Sequence, residues 1–341
     1  YYRKPGGASS PRLVVHLQGG GYCMDGASCA ARASSSPSLM SSSSWSKQIG
    51  SDGGGLLSQN CSASPDWCEA AVVFVPYCSS DSWSGTNASV GWESVSAFAG
   101  AHIVDAVFAD LQYRGILTAD TQLVFSGSSA GAEGLYPHVR RVAALHDPAR
   151  MAVLVDSGFF LDSQPYRQGD CRSLMTCTEA GALRIAASSW AIRADESCAA
   201  TYGDGSWKCM LGPYAMPFIL LPGLTVVVAE FRFDQVALIH DGITSEPTSG
   251  PALAYAQAQA MEVVNQVTAT LAAAPSTTHT VAFLPSCFQH TVARSYGFGT
   301  ETVDGVTLAS ALQAALTSTT PQRVVYADTC TASPSCNPTC T

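Results

Sequence analysis

Lysine is nearly absent from this 341-residue chain, occurring only as Lys4, Lys47 and Lys208, and all charged residues together make up 13% of it. The formal net charge is -9. Nucleic-acid binding rests on clustered Lys and Arg that neutralise phosphates and release counterions, so a nucleic acid is excluded as partner. Long apolar runs are missing as well. The longest stretch, Pro217 to Ala229, is interrupted by Pro222 and Gly223 and is too short to cross a bilayer, so no membrane span is expected. There is no Cys-x2-Cys pair and no His pair at finger-like spacing, which argues against structural zinc. No metal is expected.

What remains is rich in apolar residues and cysteine. Hydrophobic residues make up 47%, enough for a globular chain with a sizeable core, and no composition break calls for a second domain. Thirteen cysteines, many closely spaced (Cys23/Cys29, Cys61/Cys68, Cys171/Cys177, Cys198/Cys209, Cys330/Cys336/Cys340), imply disulfides and an oxidising compartment. The chain is therefore read as secreted, with at least one thiol left over by the odd count. Asn60-Cys61-Ser62 and Asn87-Ala88-Ser89 are glycosylation sequons. The chain opens on Tyr1 with no n-region or h-region, as expected once a signal peptide has been removed. A monomer is expected.

Strand patterns alternate with helical ones. Arg12 to Leu17, Ala70 to Val75, Leu123 to Phe125, Met151 to Val155, Leu224 to Phe231 and Thr280 to Leu284 read as buried strands. Helices are expected over Ser94 to Tyr113, from Ala130 onward, near Ala180 to Ile192, and over Pro251 to Leu271. Such alternation indicates a mostly parallel sheet covered by helices on both faces. The segment from about 163 to 221, with four cysteines and two tryptophans, reads as a disulfide-rich cap inserted between sheet strands of a single domain.

The chemistry concentrates at strand exits. Gly127-Ser128-Ser129-Ala130-Gly131 follows a strand and opens a helix, the G-x-S-x-G pattern of a nucleophile elbow, with Ser129 as its nucleophile. Upstream, the first strand runs into Gln18-Gly19-Gly20-Gly21-Tyr22, whose bare amides suit an oxyanion hole together with the amide of Ala130. Pro76 to Gly85 is a polar, aromatic strand exit expected to line a site. A serine needs a base within reach and an acid to orient that base, in the chain order Ser, acid, His. His290, just after a strand, is the base; His240 and His279 also come late enough but are read as packing residues. Asp234 and Asp156 both end strands after the nucleophile and compete for the acid, with Asp241 a weaker third.

Taken together, Leu17 to Cys23, Pro76 to Gly85, Gly127 to Gly131, Asp156 to Asp162, Phe233-Asp234-Gln235, Cys287-Phe288-Gln289-His290 and the tail Cys330 to Cys340 resemble the Notum and pectin acetylesterase family over nearly the whole chain. The resemblance implies an α/β-hydrolase fold and a serine carboxylesterase that needs no cofactor. It implies Ser129, Asp234 and His290 as nucleophile, acid and base, with Gly20, Gly21 and Ala130 forming the oxyanion hole. It also implies that Cys23/Cys29, Cys171/Cys177 and Cys198/Cys209 are disulfide partners or near neighbours of partners. Within the family, Notum removes a long unsaturated acyl group from a signalling protein, and the plant relatives remove acetyl from pectin. Gly21 stands where Notum has a Trp, and Met210 and Leu211 where it has paired phenylalanines. Tyr22, Phe159, Phe160, Met210 and Leu211 are the expected substrate-contacting side chains. The substrate is expected to be an acylated protein or other O-acylated compound. A pectin-type acetylesterase is the alternative within the enzyme class, and a catalytically idle carbohydrate- or lipid-binding protein is the alternative outside it.

Overall fold

The computed structural model describes residues 1–7, 11–48, 54–62 and 64–341. Its strands are β1 (Tyr2–Lys4), β2 (Arg12–Leu17), β3 (Ala71–Val75), β4 (Gln122–Ser128), β5 (Met151–Asp156), β6 (Thr225–Ala229), β7 (His279–Leu284), β8 (Thr302–Val303), β9 (Val306–Thr307) and β10 (Arg323–Ala327). Eight of them form one sheet in the order β1-β3-β2-β4-β5-β6-β7-β10, and β8 pairs with β9 in a separate hairpin. Among the described residues of the eight-stranded sheet, only β1 runs antiparallel to its neighbour. The register sets Leu17 beside Gly127, Ser128 beside Asp156, and Asp156 beside Ala229, so the functional strand exits emerge along one edge.

The described residues form the α-helices α1 (Gly26–Ser35), α2 (Gly100–Tyr113), α3 (Ala130–Glu133), α4 (Val139–Ala143), α5 (Glu179–Trp190), α6 (Glu196–Tyr202), α7 (Gly212–Ile219), α8 (Gln235–His240), α9 (Gly250–Ala272) and α10 (Leu308–Thr317). Central strands such as β5 and β6 are buried at every residue. Alternate side chains enter opposite cores, as period-2 geometry requires. Leu13, Val15, Phe125 and Val153 pack on one face with Phe108 and Leu111 of α2; Val14, Val124, Ala152 and Val227 pack on the other with Leu308 and Leu312 of α10. This is an α/β-hydrolase architecture with a mostly parallel sheet.

Several elements depart from the sequence pattern for local reasons. Helix α2 begins at Gly100, later than its apolar spacing suggests, because the Gly100 amide donates to Asp81 Oδ2 at 2.8 Å and that carboxylate caps the helix. The helix opening at Ala130 lasts a single turn before Gly134 and Pro137 interrupt it. The last strand, β10, joins the sheet parallel to β7 although half-exposed, and its weak alternation gave no strand signal.

Six disulfides form: Cys23–Cys29, Cys61–Cys68, Cys171–Cys177, Cys198–Cys209, Cys287–Cys340 and Cys330–Cys336, with Cys78 free. Two of them lie between β5 and β6, alongside α5 to α7. Among the described residues, no helix is long and apolar enough to cross a membrane.

Candidate active site

Ser129 sits between β4 and α3 with φ 56 and ψ -128, a strained backbone held because the flanking positions leave no alternative. A Cβ on Gly127 would lie 2.1 Å from the Gly131 carbonyl oxygen, and one on Gly131 would lie 2.2 Å from the Leu17 carbonyl oxygen. Both glycines are therefore required by packing, and the Ser129 amide is fixed by donating to the Asp156 carbonyl at 2.8 Å.

The Gly19 to Gly21 loop leaves β2 beside this turn. Gly20 and Gly21 have φ 130 and 66, a region that disfavours side chains. Arg32 of α1 donates to the Gly20 and Gly21 carbonyls at 2.6 and 3.3 Å and to Ser80 Oγ at 2.7 Å. Those bonds hold the loop's carbonyls against α1. Gly20, Gly21 and Ala130 line the same cleft as Ser129. The segment Pro76 to Gly85, expected to line a site, instead braces this loop from beneath. Trp83 Nε1 donates to the Gln18 carbonyl at 3.0 Å, Gln18 Oε1 accepts from the Tyr77 amide at 3.0 Å, and Tyr77, Ser80, Asp81, Ser82 and Trp83 are all buried.

Asp234 follows β6 and caps α8, its Oδ1 accepting from the Val236 and Ala237 amides at 2.9 Å each. Its Oδ2 pairs with His290 Nδ1 at 2.7 Å. His290 Nε2 has no hydrogen-bond partner, and the imidazole lines the cleft that contains Ser129. Burial alone would lower the His290 pKa. The charge and hydrogen bond of Asp234, with smaller contributions from Asp156 and Glu179, outweigh that and raise it.

Asp156 occupies a different place. Its carboxylate accepts from Ser128 Oγ at 2.5 Å and from the Val292 and Ala293 amides at 2.9 and 3.1 Å. It thus ties the nucleophile strand to the loop that carries His290. Burial raises its pKa, and these three bonds partly offset the rise.

The cleft measures about 560 Å³. Of the side chains expected to meet substrate, Tyr22 and Phe160 line it. Phe159 faces a smaller cavity of 40 Å³ behind it. Met210 and Leu211 are fully buried in the core and line neither cavity. They lie between Cys209, which is bridged to Cys198, and Gly212, where α7 begins, so this turn is pinned inward. Leu174 and Met175 line the cleft where an apolar contact was expected from Met210 and Leu211.

The sequence reading also did not place Arg32, Arg172, Arg294, Glu133, Glu179 and His240 in the site, and all six line it. Glu133 accepts from Ser82 Oγ at 2.9 Å. Glu179 accepts from the Tyr22 hydroxyl, and its Oε2 lies 3.0 Å from His240 Nδ1. Burial, followed by the charge of Glu179, pushes Glu133 well above the usual carboxylate range. Glu179 is buried too, yet His240, Glu133 and Tyr22 hold it below its ordinary value. Of the two carboxyls, Glu133 is the one pushed toward the neutral form and Glu179 the one held toward the ionised form. One sequence signal pointed here: Glu133 stands four residues after Ser129, one helical turn along the same face.

A model of the pectinacetylesterase family matches residues 1–341. The human palmitoleoyl-protein carboxylesterase NOTUM is 33% identical over 359 residues, covering 100% of this chain and 69% of that protein. The zebrafish (Danio rerio) palmitoleoyl-protein carboxylesterase notum1a is 32% identical, covering 92% of this chain and 60% of its own length. The solved structure of the Wnt deacylase Notum from Drosophila superposes with a TM-score of 0.85 at 28% identity, covering 100% of this chain and 93% of that one. A family match along the whole chain, joined by a relative of this identity and coverage, places the chain in the pectinacetylesterase family of carboxylic ester hydrolases.

Proposed function

We propose that this chain is a secreted serine carboxylesterase in which Ser129, His290 and Asp234 act as nucleophile, general base and orienting acid. Ser129 Oγ attacks the ester carbonyl while His290 Nε2 takes its proton. The imidazolium then gives that proton to the departing alcohol, leaving an acyl-serine. Water, deprotonated by the same Nε2, attacks the acyl-serine; the carboxylic acid leaves and Ser129 regains its proton. Asp234 fixes the imidazole with Nδ1 protonated, and the Gly20, Gly21 and Ala130 amides stabilise the oxyanion of each tetrahedral intermediate.

The observation that carries this reading is an imidazole bound to a buried carboxylate through Nδ1, with its Nε2 unpartnered in the cleft of a strained serine. Six disulfides support secretion, and the segment 163–221 is assigned as the cap over the cleft. The substrate is a carboxylic ester of a protein or another O-acylated compound. Acetylated pectin-type polysaccharide is the second reading, favoured by Gly21 and by Ser28, Ser35 and Ser173 around the cleft, which suit a hydroxyl-rich alcohol. The test is labelling by a fluorophosphonate probe and turnover of p-nitrophenyl acetate, with Ser129→Ala as comparison. Both are expected in the wild type, with turnover falling on the order of 10⁶-fold in the variant. Labelling or turnover that survives the substitution would reject the assignment, and absence of both in the wild type would favour an idle binding protein.

A further inference from the structure

Glu133, Glu179 and His240 have no role in the proton transfers described above, and they line the cleft that holds Ser129. They are buried, at 1%, 4% and 5% exposure. Ser82 donates to Glu133 and the Tyr22 hydroxyl to Glu179, while His240 Nδ1 lies 3.0 Å from Glu179 Oε2 and neither of its ring nitrogens completes a hydrogen bond. Glu179, His240 and Phe160 also line the 40 Å³ cavity behind the cleft, so these three side chains form the partition between the two spaces. Beyond the partition stand Phe159, Leu161, Leu238 and Val263, on a lining that also carries Glu230 and Asp241, and the Glu179–His240 pair stands between these side chains and the cleft.

Building on the serine esterase reading, we propose that Glu179 and His240, beside Glu133 on the cleft side, are the acyl-length determinants of this enzyme. They close the acyl pocket with a polar partition that admits short acyl groups and rejects long hydrocarbon chains. The physical reason is one-sided. A methyl or short alkyl group ends before the network and leaves its hydrogen bonds intact. A longer chain must lie against a buried carboxyl and an imidazole and supplies them no hydrogen bond. Polar groups left in that state cost about 1–3 kcal/mol each, and more when charged. The apolar side chains elsewhere in the cleft, Leu174, Met175 and Val236, cannot offset that penalty at the partition itself.

The test is kcat/KM of the full chain on p-nitrophenyl acetate, butyrate, octanoate and palmitate, for the wild type and for the double variant Glu179→Leu/His240→Leu. Replacing the pair together avoids leaving one buried charge alone, and exchanges of that kind are often neutral or stabilising. The wild type is expected to prefer acetate or butyrate. The octanoate-to-acetate ratio should rise at least about tenfold in the double variant, the factor that 1.4 kcal/mol corresponds to. Glu133→Gln keeps both the shape and the hydrogen-bonding capacity, so it should retain the short-chain preference, and it serves if the double variant does not fold. A wild-type maximum at octanoate or palmitate would overturn the inference while leaving the esterase reading intact. An unchanged ratio in a folded double variant would also overturn it, as would loss of the short-chain preference in Glu133→Gln. If no ester is turned over and the fluorophosphonate does not label Ser129, the esterase reading falls first and the inference with it.

Discussion

Two carboxylate–imidazole pairs share one cleft and one short helix. Asp234 caps the start of α8 and holds His290 at 2.7 Å; His240 ends the same helix and lies 3.0 Å from Glu179. The Glu179–His240 pair is buried, whereas Asp234 is buried and His290 only partly so; in both the carboxylate faces Nδ1. What separates them is the rest of each carboxylate's company. Asp234 has its other oxygen saturated by two backbone amides, which leave it fixed and acceptor-only. Glu179 instead shares its site with a second carboxyl, pushed toward the neutral form, and a tyrosine hydroxyl. The first arrangement can orient a base. The second fills space with polar groups, and the difference shows that a carboxylate–histidine contact acquires a role only from what surrounds it.

The sharpest way to break this comparison is to neutralise each carboxylate in turn. Asp234→Asn should lower kcat on p-nitrophenyl acetate about 10⁴-fold, the loss expected when the orienting acid of a triad is removed. Glu179→Gln should lower it no more than about tenfold, because Glu179 touches no proton that moves in the reaction. Equal losses would mean that the two pairs work as one relay. The pH profile sharpens the same contrast. Only neutral His290 can accept the serine proton, so kcat/KM should rise with pH through a His290 pKa that lies above the ordinary histidine value. Asp234 is the chief group holding that pKa up, and Glu179 is the last among its causes. Asp234→Asn should therefore move the acid limb clearly toward lower pH, and Glu179→Gln should move it slightly in the same direction. A limb unmoved by Asp234→Asn would remove His290 as the base.

The first pair was legible in the sequence because its members obey positional rules. A glycine-flanked serine after an apolar strand, then an acid and a histidine each directly after a later strand, can be read from periodicity and chain order alone. Asp156 fitted the same rule as a rival acid; what distinguishes it is three hydrogen bonds to Ser128, Val292 and Ala293, contacts that depend on β4 and β5 lying side by side. The second pair obeys no positional rule. His240 falls at the end of a helix, Glu179 at the start of another, and nothing in their spacing announces that α5 and α8 meet at the cleft. Met210 and Leu211 failed as pocket residues for the complementary reason. An apolar pair in a cap reads the same whether it faces a ligand or the core, and only the Cys198–Cys209 bridge beside it turns it inward.

The smallest of these effects concerns the disulfide beside each pair. Cys287–Cys340 ties the loop approaching His290 to the C-terminal tail and spans 53 residues, whereas Cys171–Cys177, just ahead of Glu179, spans 6. Chain-entropy reasoning gives a cross-link stabilisation that grows with the loop it closes, about 4 kcal/mol for the longer and about 2 kcal/mol for the shorter. Replacing each pair by serines and measuring denaturant unfolding should recover that order. The functional readouts should separate further. His290 depends on loop placement for its 2.7 Å contact, so loss of Cys287–Cys340 should depress kcat on acetate in protein that is still folded. Glu179 is set by the first turn of α5, capped by Thr178, so loss of Cys171–Cys177 should leave kcat on acetate closer to the wild type. If the shorter bridge proved the more damaging to both stability and kcat, then the cap, and not the tail, would be what holds the catalytic geometry in place.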